Sequence, residues 1–233
     1  MGSRFHSLAN RLAALAMKLL FGSVARIHVV GLENANRTGG LLLAANHISH
    51  FDPFIISAVV RRKIDWMAMA EFFPIPIAGM LLHAVDAFPA DRDRANRATI
   101  RQAIDRLRDG RIVGIFPEGG IRDGKNSILE GAASRSGVAV LADIADVAVL
   151  PCVIVGSDRL YNKKRWLRFR RTPIWIGFGD LILKSRDLPK TAMRDRFEQD
   201  FADALNKLYL ELRRAFSLSA DDLPQAPQSR MLE

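Results

Sequence analysis

The feature of this chain that most constrains its fold is a series of short apolar runs in which polar residues do not alternate. A strand buried on both faces of a parallel sheet has this pattern. The runs lie at residues 40–45, 84–88, 111–116, 147–155 and 173–178. Helical patterns occur between them, at residues 53–60, 95–107 and 138–145. Strands that alternate with helices predict an α/β fold with a mixed, largely parallel central sheet flanked by helices.

The two ends of the chain differ from this central part. Residues 8–24 are rich in Leu and Ala, but Arg11 and Lys18 interrupt them, and they fall short of the roughly 20 apolar residues of a spanning helix. We expect an amphipathic helical segment within residues 1–30, which either lies on a membrane surface or packs on its own domain.

At the other end, apolar residues recur at three- and four-residue spacing over residues 191–216 and predict a long closing helix. The main domain should therefore span residues 31–216. Residues 217–233 are polar and contain proline, which is typical of a disordered tail.

The charge and the cysteine content limit the partners and the compartment. The formal charge of +9 and the pI near 10.3 favour binding to polyanions, either nucleic acid or the phosphates of a membrane. The single cysteine, Cys152, excludes an internal disulfide and lies in an apolar run, where a buried and inert thiol is expected. A reducing compartment fits this composition.

His47 and Asp52 stand five positions apart, just after the apolar run that ends at Ala45. If the chain folds back there, the carboxylate can accept a hydrogen bond from one ring nitrogen while the other nitrogen faces a substrate. Each residue also has an ordinary explanation. An Asp before Pro53 is a suitable helix N-cap, and a single loop histidine commonly has no special role.

Two further segments could carry chemistry. Glu118, in the sequence FPEGG, follows the run at 111–116, so it should stand at the carboxyl end of a strand, where open α/β sheets bind ligands. Arg92 follows the run at 84–88 and could hold a phosphate through two parallel hydrogen bonds, although it could equally be a solvated arginine among neighbouring charges.

Four blocks of the chain, taken in order, resemble the glycerolipid acyltransferase family, which includes lysophosphatidic acid and glycerol-3-phosphate acyltransferases. They are the Asn-His-x4-Asp block at 46–52, Asp91-Arg92, the Phe-Pro-Glu-Gly block at 116–119 and an apolar run with an embedded proline at 150–154. The resemblance covers residues 31–180.

The resemblance implies an O-acyltransferase of phospholipid biosynthesis, which moves a fatty acyl group from acyl-coenzyme A or acyl carrier protein to a hydroxyl of a lysophospholipid. The favoured acceptor is 1-acylglycerol 3-phosphate. By resemblance His47 is the general base and Asp52 orients it, and the hydroxyl attacks the acyl thioester directly. The substrate-binding residues that the resemblance implies are Arg92, Glu118, Gly119, Gly120, Arg122 and Pro151. No cofactor and no metal are expected.

Some positions depart from the family pattern. Many members have Thr-Arg after Phe-Pro-Glu-Gly, whereas this chain has Gly120 and Ile121, with Arg122 one place later. Met69 stands where members often carry a lysine. Glycerol 3-phosphate, or another lysolipid such as a lyso-aminolipid, therefore stays open as the acceptor.

The expected location is the cytoplasmic face of a membrane, with peripheral or monotopic attachment. Residues 163–171 interleave cations with aromatics, which suits anionic lipid head groups or else a charged edge strand. The apolar residues 72–82 could line an acyl-chain groove, dip into lipid or belong to the core. The rival hypothesis is a non-catalytic basic protein that binds nucleic acid or membranes, but no nucleic-acid partner is expected.

Overall fold

A seven-stranded sheet forms the centre of the protein in the computed structural model, which describes residues 12, 15–90, 97–134, 137–167, 171–184 and 189–232. The strands are β1 (Ala25–Val30), β2 (Leu41–Ala45), β3 (Ile64–Met69), β4 (Phe88–Ala90), β5 (Ile112–Ile115), β6 (Ala148–Val155) and β7 (Thr172–Phe178). The helices are α1 (15–24), α2 (Leu32–Ala35), α3 (Asp52–Val59), α4 (Pro76–Ala84), α5 (Arg97–Arg108), α6 (Val138–Ala145), α7 (Lys163–Leu167), α8 (Lys190–Ala215) and α9 (Pro227–Leu232).

The strand order is β1-β7-β6-β2-β5-β3-β4. Each neighbouring pair is parallel apart from β6 and β7, which are antiparallel. The prediction of a mixed, largely parallel sheet flanked by helices is confirmed. So is the long closing helix, which α8 provides.

The central strand β2 shows why an unbroken apolar run was needed. Leu42 and Ala44 point into one core, with side chains of α5, α6 and α8. Leu41, Leu43 and Ala45 point into a second core on the other face, with side chains of α1 and α3. Since both faces of the strand are covered, every position of β2 is buried, and a polar residue at any of them would lose its water.

Three strands differ from the sequence prediction. The strands β1 and β3 were not predicted, because charged residues interrupt their apolar pattern, as Asp65 does in β3. Asp65 is fully buried and is paired with Arg106 and Arg111 at 3.3 and 2.6 Å. The run at 84–88 holds the end of α4 and a turn at Asp86, whose φ is 53°, and β4 begins only at Phe88.

One side of the helix α1 packs on its own domain, which was one of the two alternatives that the sequence left open. Met17 and Phe21 are buried in the core on the α3 side of the sheet. The opposite side of the helix is exposed. The exposed leucines of α1 are Leu15, Leu19 and Leu20. Within the described ranges, none of the helices combines the length and the apolar composition required to cross a bilayer.

The predicted disorder of residues 217–233 differs from the structure, in which a 3₁₀ turn at Ala220–Asp222 is followed by α9. Ser219 and Asp222 cap that turn reciprocally. Arg230 is buried and forms an ion pair with Asp158 at 2.7 Å. The polar composition suggested disorder. The order of the segment could not be predicted, because Asp158, the partner of Arg230, lies far away in the sequence.

The structure of the basic stretch at 163–171 contradicts the interpretation that it is an edge strand. Its first half is not an edge strand but the short helix α7. Asn162 starts this helix, since its side-chain oxygen accepts a hydrogen bond from the Lys164 N–H at 2.9 Å. Residues 168–170 lie outside the described part of the chain.

Candidate active site

The candidate site lies at the carboxyl ends of three adjacent strands in the middle of the sheet. His47 comes two residues after β2, Glu118 follows β5, and Ser157 follows β6. Loops that leave parallel strands at the same edge are brought together by the sheet, and ligands of open α/β folds bind at this edge.

His47 and Asp52 are in contact. The Nδ1 atom of His47 is 2.9 Å from Oδ2 of Asp52. When the carboxylate is ionised, it accepts a hydrogen bond from Nδ1–H and so keeps the proton on Nδ1. The other ring nitrogen, Nε2, is then the one that can take a proton from a substrate. The pair has the geometry of a general base and its orienting carboxylate.

The Asp52 carboxylate is held by the loop that precedes it. Oδ2 also accepts from the backbone N–H groups of Ile48 and Ser49, each at 2.9 Å. Oδ1 accepts from the Ser157 hydroxyl at 2.5 Å. The N-cap explanation of Asp52 is wrong, because Asp52 is the first residue of α3 and its side chain bonds back to the loop instead of capping the helix.

Glu118 joins two loops. Its Oε2 accepts from the backbone N–H of His47 at 2.5 Å, and its Oε1 accepts from the Ser127 hydroxyl and the Ile128 N–H at 2.9 and 2.8 Å. Burial raises the pKa of Glu118, although these donors oppose the rise. Both carboxylate oxygens are thus engaged within the protein, and Glu118 holds His47 in place through the backbone.

An aromatic stack fixes the plane of the His47 ring. The ring lies on Phe116 with 3.9 Å between centroids, and Phe116 lies on Trp66 with 4.8 Å between centroids. Gly114 makes the stack possible, since a Cβ there would be 2.5 Å from the Trp66 ring. Parallel stacking with the edge hydrogen bond to Asp52 leaves the imidazole little freedom to rotate.

A cavity of about 930 Å³ opens beside His47. This volume is near the upper end of the roughly 300–1,000 Å³ typical of small-molecule sites. Apolar side chains of α1, α3, β3 and α4 form much of its wall, and His47, His50 and Gly119 also line it. Burial lowers the pKa of His50, and the nearby His47 lowers it further. The volume and the apolar lining of the cavity can accommodate long apolar chains beside the His47 ring.

Comparisons with known proteins agree with this geometry. Residues 26–155 match the acyltransferase family, which is more than half of the chain. The chain belongs to the acyltransferase family.

Two curated relatives illustrate its range. The 1-acyl-sn-glycerol-3-phosphate acyltransferase of Bacillus subtilis is 25% identical over 203 residues, which are 85% of this chain and 98% of that protein. The lyso-ornithine lipid O-acyltransferase of Rhizobium meliloti is 35% identical over 127 residues, which are 53% of this chain but only 41% of that protein.

The acyltransferase fold is also seen in a crystal structure. The 1-acyl-sn-glycerophosphate acyltransferase of Thermotoga maritima superposes with a TM-score of 0.59 at 21% identity, covering 87% of this chain and 79% of that one. At this identity the likeness concerns the fold.

The other predicted site residues of this acyltransferase fall into four groups. Gly119 and Gly120 line the cavity, and Gly119 has a φ of 66°, a conformation that favours glycine. Arg122 contacts the site through its backbone, whose N–H donates to the His47 carbonyl at 2.9 Å. Pro151 is buried inside β6, opposite Ala44 of β2, and does not line the cavity. Arg92 lies outside the described residues.

Two residues of the site were missed in the sequence. The Asn46 side chain donates to the Ile154 carbonyl at 3.0 Å and accepts from the Ile154 N–H at 2.8 Å, which extends the link between β2 and β6 beyond the end of β2. Ser157, which follows β6, donates a hydrogen bond to Asp52. The position of Asn46 directly before His47 was a possible signal, whereas nothing in the sequence relates Ser157 to Asp52, 105 positions away.

Proposed function

We propose that this acyltransferase moves a fatty acyl group from an acyl thioester to the free hydroxyl of a lysophospholipid, with 1-acylglycerol 3-phosphate as the acceptor. The observation that carries the proposal is the His47–Asp52 contact of 2.9 Å at the wall of a large apolar cavity. The similarity to the Bacillus subtilis enzyme along nearly its whole length supports the choice of acceptor.

The chemistry needs one base and no covalent enzyme intermediate. Nε2 of His47 takes the proton of the acceptor hydroxyl while the oxygen attacks the thioester carbonyl carbon. Asp52 stabilises the imidazolium that forms. The carbon–sulfur bond then breaks, and the departing thiolate receives the proton from His47. Asp52, Glu118 and Phe116 contribute by keeping the imidazole in one orientation, which is a large part of what an enzyme supplies in such a reaction.

The donor in this proposal is acyl-coenzyme A or acyl carrier protein, and the reaction needs no metal or other cofactor. The thioester group lies beside His47, and its acyl chain occupies the cavity between α3 and α4. Phe72, Leu81 and Leu82 line this part, which agrees with an acyl-chain groove in residues 72–82.

We further propose that the mouth of the cavity rests on the cytoplasmic face of a membrane that contains anionic lipids. Leu20 and Ile75 line the cavity and are also about half exposed, so the apolar wall continues onto the surface. Ile77 and Met80 of α4 are exposed next to them. An acceptor with an acyl chain can then enter from the bilayer without crossing water, and the positive charge of the chain favours an anionic surface.

A lyso-aminolipid is the second candidate acceptor. The similarity to the Rhizobium meliloti lyso-ornithine lipid acyltransferase favours it, as do Gly120 and Ile121 at the cavity, where many family members have Thr-Arg. In this case the acceptor is still a lipid with one free hydroxyl, so the role of His47 is unchanged.

The decisive experiment assays the purified chain with three acceptors: 1-acylglycerol 3-phosphate, glycerol 3-phosphate and lyso-ornithine lipid. Each is paired with acyl-coenzyme A and with acyl carrier protein, and products are read by mass spectrometry. His47→Ala should reduce the rate by about 10²–10⁴, the usual effect of removing a general base. His83→Ala is the matched control, because His83 is exposed on α4. Full activity of His47→Ala would refute the mechanism.

A further inference from the structure

The C-terminal segment, residues 218–232, packs against the 3₁₀ turn that follows β6, at Ser157–Tyr161. Arg230 is the centre of this contact and is only 2% exposed. Its Nε donates to Oδ2 of Asp158 at 2.7 Å, and its Nη2 donates to the carbonyls of Asp221 and Leu223 at 2.9 and 3.0 Å. The Arg230 guanidinium thus connects two parts of the C-terminal segment with each other and connects the segment with the fully buried Asp158.

A second arginine also links the turn to the C-terminal segment, but here the arginine belongs to the turn. Arg159, in the 3₁₀ turn, donates to the Asp221 carbonyl and to Oδ1 of Asp222, each at 2.7 Å. The Gln225 N–H adds a hydrogen bond to Asp158 at 3.1 Å. The C-terminal segment is thus joined to the 3₁₀ turn by directional hydrogen bonds. These bonds fix the position of the turn, in addition to covering it.

The same turn holds the loop of the candidate site. Ser157, next to Asp158, donates its hydroxyl proton to Oδ1 of Asp52 at 2.5 Å. At the far end of the turn the Tyr161 hydroxyl accepts from the His50 N–H at 3.0 Å. The ends of the turn therefore bind the loop that carries His47 and Asp52, while its middle binds the C-terminal segment.

We propose that the C-terminal segment is a positioning element of the active site, in which Arg230 acts on Asp52 through Asp158 and Ser157. The inference rests on the proposed function, in which Asp52 orients His47. A buried ion pair is weak evidence for stability, because desolvation offsets much of its attraction. What this pair does supply is a fixed place for Asp158, and therefore for the adjacent hydroxyl that binds Asp52.

The test is a kinetic cycle in the full chain with Ser157→Ala, Arg230→Met and the double variant. Each single variant should lower kcat about tenfold with little change in KM, since displacements of 1 Å can cost up to about a hundredfold in rate. If Arg230 acts through Ser157, the double variant loses no more than Ser157→Ala does. Losses that multiply, or an unchanged kcat in Arg230→Met, would overturn the proposal.

Arg230→Lys guards against a failure to fold. It retains the charge beside Asp158 but lacks the fork that also reaches Asp221 and Leu223, and it should lower kcat in the same direction. The matched control is Arg111→Met, which removes a partner of the buried Asp65 at the opposite end of the sheet. This control should lose stability while kcat of the folded protein stays unchanged.

A readout without substrate separates this inference from the proposed function. In protein with ¹⁵N-labelled histidine, the Nδ1–H signal of His47 reports its hydrogen bond to Asp52, and His47→Gln assigns it. The signal should shift or broaden in Ser157→Ala and Arg230→Lys but not in Arg111→Met. If wild-type protein transfers no acyl group while the signal responds in this way, the proposed function fails and the positioning stands. If transfer occurs and the signal is unmoved, the positioning fails alone.

Discussion

Replacing Glu118 by Gln tests whether this residue holds His47 in place or binds the acceptor. The carboxylate faces fixed backbone donors on both sides, the His47 N–H on Oε2 and the Ile128 N–H on Oε1. An amide has one acceptor oxygen and one NH₂ group. Whichever way the amide of the new side chain is turned, its NH₂ group faces a backbone N–H, and one buried donor is left unsatisfied.

The expected loss follows from these contacts. An unsatisfied buried donor costs about 1–3 kcal/mol, and a hydrogen bond to a charged group is worth about 1.5–3 kcal/mol. Removal of the buried charge offsets part of this, since burial already raises the pKa of Glu118. We therefore expect the free energy of unfolding to fall by about 1–3 kcal/mol. Urea unfolding followed by circular dichroism measures it.

The kinetic effect distinguishes the two roles. If Glu118 holds the His47 backbone, Glu118→Gln lowers kcat, by about tenfold for a displaced base, and changes KM little. Glu198→Gln is the matched control, because Glu198 accepts from the Ser134 hydroxyl and the Ala139 N–H away from the site. A variant with wild-type stability and kcat but a raised KM for the acceptor would show instead that Glu118 binds substrate, as the family resemblance implied.

Three further changes have definite outcomes. Gly114→Ala places a Cβ against Trp66, so it should cost about 1–3 kcal/mol on denaturation and lower kcat through the aromatic stack. Ala78→Phe fills part of the cavity wall and should shift the acyl-length profile of the products, read by mass spectrometry, toward shorter chains. Burial raises the pKa of Asp158 and Arg230 counteracts the rise, so Arg230→Met raises this pKa further. A carboxyl group whose pKa is higher in the folded than in the unfolded protein stabilises the fold when the pH is below its unfolded pKa. This contribution is lost as the pH rises through the folded pKa. The stability deficit of Arg230→Met in urea should therefore shrink as the pH is lowered from neutral toward the ordinary pKa of Asp, about 3.9.

The sequence predicted the parts of the fold that depend on unbroken apolar runs. The strands β2, β5, β6 and β7 were expected within one or two residues of their ends, because both of their faces are covered and polar residues are excluded. The strand β3 was not expected, since Asp65 resembles a loop residue until its arginine partners are known.

The candidate site shows the same division. The His47–Asp52 contact could be predicted because it spans one turn of a single loop. The position of Glu118 at the end of a strand could be predicted. Its hydrogen bonds could not, since its partners Ser127 and Ile128 lie in a separate loop. Ser157 could not be predicted at all, because its neighbour Asp52 is set by the pairing of β6 with β2.

The cavity beside His47 is built from two kinds of structure. The His47–Asp52 pair is held at the ends of β2, β5 and β6, whereas α1 and α4, which lie outside the sheet, contribute apolar side chains to the cavity wall. In the proposed function, lipid selection therefore depends in part on segments of the chain other than those that hold the base. Exchanging α4 with that of a relative should change which lipids are made while the dependence of the rate on pH stays that of the parent, so that new acyl-chain preferences can arise without rebuilding the base.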